Sequence, residues 1–162
     1  MRHAILLPLL LLAAPLGAQT AAPRAVGVSE AELRDLLVLA RATDERWNAR
    51  DAAGLSALFA AEGHSRILGT PADLRGRDAI RAYFATSLGR LAPGTTHRTV
   101  VDEVQRVAPD VVLVEGRVWI ERAGADSART PLRAFTVTSA VVREGEAWRV
   151  RWNRARPVDG GG

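Results

Sequence analysis

The apolar residues of this sequence change period once, at Pro93-Gly94, and that switch narrows the folds open to it. Upstream they recur mainly at helical spacing. Ser29 followed by Glu32 forms a capping box, with Val28 and Leu33 placed as a hydrophobic staple. Leu33, Leu36, Leu37, Ala40 and Trp47 then share one face of a helix expected to run to about Arg50. Asp51 caps a short second helix expected to bury Leu55, Leu58 and Phe59 and to end near Gly63. His64 to Leu68 is a strand candidate. Ile80, Tyr83, Phe84, Ser87 and Leu88 follow at i, i+3, i+4, i+7 and i+8 of a third helix starting near Asp78.

Downstream of the switch the chain reads as four strands: Thr95 to Val107, Val111 to Arg122, Leu132 to Arg143 and Ala147 to Arg156. The last two flank Glu144-Gly145-Glu146, a hairpin signal. With Glu144 and Gly145 as the turn, Val141 lies opposite Trp148, Ser139 opposite Val150 and Val137 opposite Trp152. That register puts Thr136, Thr138, Arg149, Arg151 and Asn153 on the side away from the helices. The order is α-α-β-α-β-β-β-β, an α+β domain without repeats or a second domain.

Composition removes several function classes. At 162 residues with 48% hydrophobic and 25% charged residues, the chain has the balance of one globular domain with a real core. All 22 basic residues are Arg, so an isoelectric point near 11.0 accompanies a net charge of only +4. The arginines alternate with Asp and Glu and form no basic stripe, which argues against nucleic-acid binding. The one cluster, Arg149, Arg151, Arg154 and Arg156, has the spacing of a solvated strand face. There is no cysteine, which excludes disulfides, thiol catalysis and cysteine-ligated metals. Neither a G-x-G-x-x-G nor a P-loop pattern occurs, so no nucleotide cofactor is expected.

Residues 1–18 read as a signal peptide: Arg2-His3, the apolar run Ala4 to Ala14, and the small-residue site Pro15-Leu16-Gly17-Ala18. The run is too short to span a bilayer, and no lipid-anchoring cysteine follows it. The expectation is an exported protein, periplasmic or secreted, with no stable membrane insertion after cleavage. Residues 19–28 are read as a flexible tether, 29–157 as the domain and 158–162 as a disordered tail.

Three segments carry a family resemblance. Trp47-Asn48-Ala49-Arg50-Asp51 followed by Leu55-Ser56-Ala57-Leu58-Phe59, then Gly76-Arg77-Asp78-Ala79-Ile80 with Tyr83-Phe84, then Val141 to Val150 with its Gly145 and Trp148, stand in order over residues 30–157. Together they resemble the nuclear transport factor 2-like superfamily, with the SnoaL-like and enediyne-biosynthesis-associated (SgcJ/EcaC-type) branches nearest. The resemblance implies a cone-shaped curved antiparallel sheet wrapped around three N-terminal helices, with a cavity at its wide end. The superfamily includes isomerases, dehydratases, cyclases, epoxide hydrolases, pocketless association domains and transport adaptors.

In such a cone Trp47 and Tyr83 face inward with Phe135 and Trp152 across from them, an aromatic lining suited to a small, largely apolar ligand, or else a filled core. Catalysis needs a titratable group in that cup. His64, His97 and Glu115 are the candidates, although the histidines read more readily as edge residues facing solvent and Glu115 as outward-facing, since Val112, Val114, Val118 and Ile120 make the better core face. Asp102 and Glu103 raise the same question, and Glu115 with Arg117 also reads as a cross-strand charge pattern with Arg133. No third ligand joins the histidines, so no metal is expected. Three readings follow: an exported small-molecule pocket protein, a cofactor-free enzyme of the cyclase, isomerase or dehydratase type, or a homodimeric interaction module joined through the convex sheet face, which Trp119 exposed on that face would support.

Overall fold

A computed structural model describes residues 21–124 and 128–158; the expected signal peptide and the Gly160 to Gly162 tail lie outside the described residues. In chain order the elements are β1 (Arg24–Val26), α1 (Glu30–Asn48), α2 (Ala52–Ala57), β2 (Phe59–Ile67), β3 (Asp73–Arg75), α3 (Gly76–Gly89), β4 (Thr95–Ala108), β5 (Val111–Ala123), β6 (Arg129–Glu144) and β7 (Ala147–Pro157). The strands form one curved, unclosed sheet in the order β1-β4-β5-β6-β7-β2-β3. The helices pack on its concave side.

The helices start where local chemistry starts them. Ser29 Oγ accepts the Glu32 N–H, and the Glu32 carboxylate accepts the Ser29 N–H at 3.0 Å, closing the capping box. Asp51 caps α2 by accepting the Gly54 N–H at 2.7 Å. Gly76 opens α3 at φ 79°, a left-handed conformation that Gly adopts without strain.

Four expectations need correction. The second helix stops at Ala57, because Phe59 is taken by the sheet and pairs in parallel with Val150 of β7. Leu55 and Phe59 are nevertheless buried. Part of the expected tether, Arg24–Val26, pairs in parallel with β4, so the sheet is mixed rather than wholly antiparallel. Asp73–Arg75 adds a short antiparallel edge strand on β2.

The hairpin register also differs. The turn residues are Gly145 and Glu146, between the paired Glu144 and Ala147, with Gly145 at φ 62°. Val141 therefore lies opposite Val150, and Arg143 opposite Trp148. This slides the strands by two residues and changes no faces. The larger change comes from Arg151, an unpaired bulge residue between Val141–Val150 and Ala140–Trp152. Beyond it every side chain swaps sides: Trp152 turns outward and Asn153 inward.

The core divides into three clusters around a hollow. At one end Leu36 of α1 meets Val104, Val112, Val141 and Trp148 of the sheet. Toward the other end Trp47, Leu55 and Leu88 join the three helices, and Phe59, Ile80 and Val150 join α3 to β2 and β7. Full burial of one such side chain is worth about 1.5–3 kcal/mol.

Candidate functional site

Between these clusters lies a cavity of about 520 Å³, the size of a small-molecule site. Its floor is built by inward-facing residues that alternate along the strands: Val114, Gly116, Val118 and Ile120 on β5, and Phe135, Val137, Ser139 and Val141 on β6. Trp47 of α1 and Tyr83 and Phe84 of α3 supply the opposite wall. Tyr83 and Phe84 meet edge to face, 5.7 Å between centroids.

The one titratable side chain among the sequence-derived catalytic candidates to reach this cavity is His97, at the start of β4. Its position is fixed from α1 on two sides. Asn48 brackets the backbone, accepting the His97 N–H at 2.7 Å and donating to the His97 carbonyl at 3.1 Å. Asp44 holds the ring, 2.7 Å from Nδ1. The same carboxylate accepts the Thr99 N–H at 2.9 Å and the Thr99 hydroxyl at 2.7 Å. Trp47 lies against the imidazole, 5.2 Å between centroids.

These contacts decide the tautomer. Burial works most strongly against ionisation of Asp44, but the hydrogen bonds from His97 and from the Thr99 side chain and backbone together outweigh it and hold the carboxyl below its usual range. An ionised carboxylate only accepts, so the proton sits on Nδ1 of His97. The neutral ring then carries its lone pair on Nε2, which has no partner among the described residues. The arrangement is that of a base with an orienting acid behind it.

A second polar device faces the cavity from β2, β6 and β7. Ser65 Oγ donates to Asn153 Oδ1 at 3.2 Å, and Asn153 Nδ2 donates to Ser139 Oγ at 3.0 Å. The Arg151 bulge makes this possible, since a regular strand would point Asn153 outward.

Of the residues proposed from the sequence, Trp47, Tyr83, Phe135 and His97 line the cavity, and His64, Glu115 and Trp152 do not. His64 turns to the outer face and pairs with Asp73 of β3. Glu115 also faces outward, 3.4 Å from the Thr138 hydroxyl, because Gly116 takes the inward position. Trp152 lies outward with Arg154 over its ring at 5.0 Å. Neither Asp102 nor Glu103 lines the cavity, and Arg117 pairs with Asp102 at 2.6 Å rather than joining Arg133. Trp119 is on the outer face, flanked by Arg98 at 4.3 Å and Arg117 at 5.3 Å. Among the described residues no group of three His, Asp or Glu side chains gathers as metal ligands would.

Sequence reasoning missed Asp44, Asn153 and Ser139. Asp44 had a signal: it continues the apolar stripe of α1 between Ala40 and Trp47, where a carboxylate needs a buried partner.

Residues 29–153 match the model of the SnoaL-like domain. The chain belongs to the SnoaL-like domain family. Solved structures agree on the fold of this SnoaL-like domain. A domain of unknown function with a cystatin-like fold from Nostoc punctiforme is 18% identical, with a TM-score of 0.70 over 81% of this chain and 80% of its own. Aln2 from a Streptomyces species is 20% identical, with a TM-score of 0.69 over 80% and 93%. A ketosteroid isomerase-like protein from Erwinia carotovora atroseptica is 16% identical, with a TM-score of 0.63 over 81% and 99%. At these identities the likeness of the SnoaL-like domain to them is one of fold. No curated protein matches it in sequence.

Proposed function

We propose that this SnoaL-like domain binds a small, largely apolar molecule and moves a proton on it without a cofactor, in chemistry of the isomerase, dehydratase or cyclase type. The observation that carries this reading is His97 on the cavity wall with Asp44 fixed behind its Nδ1 at 2.7 Å. In the proposed reaction Nε2 takes a proton from an acidic C–H or O–H of the ligand. The Asp44 carboxylate stabilises the imidazolium that forms, and the same nitrogen returns the proton to a neighbouring atom. The Ser65–Asn153–Ser139 row supplies hydrogen bonds to a polar atom of the ligand, and Tyr83 a hydroxyl. The ketosteroid isomerase-like relative supports this class of chemistry by analogy of fold alone. The signal-like residues 1–18 support an exported setting for the activity.

The test uses 2-tetralone, an apolar bicyclic ketone with acidic C–H bonds. Saturable change in Trp47 fluorescence reports binding, and NMR in D₂O reports protein-dependent exchange of its C–H protons. His97→Gln should retain binding and lower exchange roughly 100-fold or more. Exchange that persists unchanged in His97→Gln, or no binding of 2-tetralone at all, would overturn the proposal.

The interaction-module reading gains less. Trp119, the aromatic expected to mark a dimer face, is already covered by two arginines of its own chain.

A further inference from the structure

We propose that the cavity is built for an amphipathic anion, with an apolar body in the cup and a carboxylate-type group at the rim held by Arg90, Arg122 and Arg133. This inference rests on the pocket reading above and specifies its ligand. All three arginines belong to the cavity wall and are exposed, which places them at its opening. Arg90 caps the C-terminus of α3, Arg122 ends the inward row of β5, and Arg133 begins the inward row of β6. They come from three separate elements and converge on one opening.

Among the described residues their charge is uncompensated. Among the described residues the wall of the cavity contains three arginines and no Asp or Glu. Three other cationic side chains of the sheet have carboxylate partners: Arg98 meets Glu121 at 2.9 Å, Arg106 meets Glu32 at 2.6 Å, and Arg117 meets Asp102 at 2.6 Å. The side chains of Arg90, Arg122 and Arg133 make no ion pair or hydrogen bond among the described residues. A low-dielectric cup with cations at its mouth and no counter-charge concentrates anions. Guanidinium groups suit carboxylate oxygens in particular, since their donors bind both oxygens at once.

The rim also has an apolar component. Leu132, the unpaired bulge residue of β6, is 43% exposed and lines the opening between these arginines. A wholly polar anion would leave Leu132 and the cup beneath it in water. A wholly apolar ligand would leave the arginines unanswered. An amphipathic anion satisfies both.

The register connects the rim to the base. Ile120 pairs with His97 on one side and Arg133 on the other, so the two backbones are two strand spacings apart, roughly 10 Å. Arg122 pairs with Thr95, two residues from His97. An anionic group at the rim therefore directs the apolar atoms next to it past His97.

Isothermal titration with three probes that share one ring system tests this: 2-naphthoate, 2-naphthalenemethanol and 2-naphthylmethylamine. The expected order has the carboxylate at least about tenfold tighter than the alcohol at low salt, with the amine weakest. The advantage should shrink as salt rises. In Arg122→Gln/Arg133→Gln the carboxylate and alcohol should bind with similar affinity. If that variant does not fold, Arg90→Gln, which leaves the sheet untouched, should reduce the preference in part. Equal binding of acid and alcohol, tighter binding of the amine, or a preference that survives the substitutions overturns the inference while the apolar pocket stands. Binding of none of the three overturns the pocket reading as well.

Discussion

Asp44 should hold more stability than a half-exposed helix carboxylate ordinarily does, and Asp44→Ala measures it. The carboxylate is 22% exposed and accepts three hydrogen bonds, at 2.7 Å from His97 Nδ1, 2.9 Å from Thr99 N and 2.7 Å from Thr99 Oγ1. Truncation leaves all three donors without an acceptor. The His97 ring and the Thr99 hydroxyl can turn toward water in the cavity, whereas the Thr99 N–H is fixed in β4. Counting one stranded backbone donor and two partly recovered bonds to a charged group gives a cost of about 2–4 kcal/mol. Thr99→Val removes only the hydroxyl and should cost about 1 kcal/mol. Urea denaturation of the three proteins at pH 7 and in acid is the assay. Because folding lowers the Asp44 pKa below its ordinary 3.8, the carboxylate's contribution is complete above that value and is lost as pH falls through the lower folded one. The gap between wild type and Asp44→Ala should therefore narrow in acid. An Asp44→Ala cost below about 1 kcal/mol, or a gap that widens in acid, would refute the assignment of these bonds.

Three further outcomes follow from individual contacts. A Cβ at Gly116 would sit 2.4 Å from the Val100 carbonyl oxygen, a backbone atom that cannot swing away, so Gly116→Ala should destabilise by about 1–3 kcal/mol in thermal melts. The Glu32 carboxyl is held down to about 2, first by the Ser29 N–H and then by Arg106 and the Ser29 hydroxyl. Its contribution should be present above the ordinary 4.5 and disappear as pH falls toward 2, so Glu32→Gln should lower stability at pH 7 and lose that difference in acid unfolding curves. Ligand-induced fluorescence change should survive in Trp152→Leu, since that indole is outside the cavity, and be largely lost in Trp47→Phe.

What was legible in the sequence divides by how far each signal reaches along the chain. The starts of α1 and α2 are written in Ser29, Glu32 and Asp51, which act within three residues of themselves. The period of the β5 residues set Val114, Val118 and Ile120 on the inner face, and Glu115 followed by simple alternation. The face of Trp152 and Asn153 was not local information. It depends on the Arg151 bulge, which appears only when β7 pairs with β6 on one side and with β2 on the other. The stripe of α1 marks Asp44 as a carboxylate needing a partner, but not which one: His97 and Thr99 lie 53 and 55 residues away, and no spacing rule links a helix carboxylate to a strand histidine.

The bulges also explain how a long sheet of apolar alternation comes to enclose space rather than a solid core. Asp102 in β4, Leu132 in β6 and Arg151 in β7 are each unpaired, and each sharpens the local bend of its strand. Opposite Asp102, Gly116 lets β4 approach to a distance that any Cβ would forbid. The bends curl the sheet around the helices, with one end closed by Leu36, Val104, Val112, Val141 and Trp148 and the cavity opening at the other. Packing at the closed end supplies the cohesion, so the open end can keep unfilled volume and arginines without a partner among the described residues, which would be liabilities inside a core. A rigid seat for His97 then needs only α1, which spans both ends: Leu36 is anchored in the closed cluster while Asp44 and Asn48, two and three turns further on, reach the base. Lengthening or breaking α1 between Leu36 and Asp44 would therefore leave the histidine no longer aimed and also cost the stability that Asp44 and Trp47 contribute.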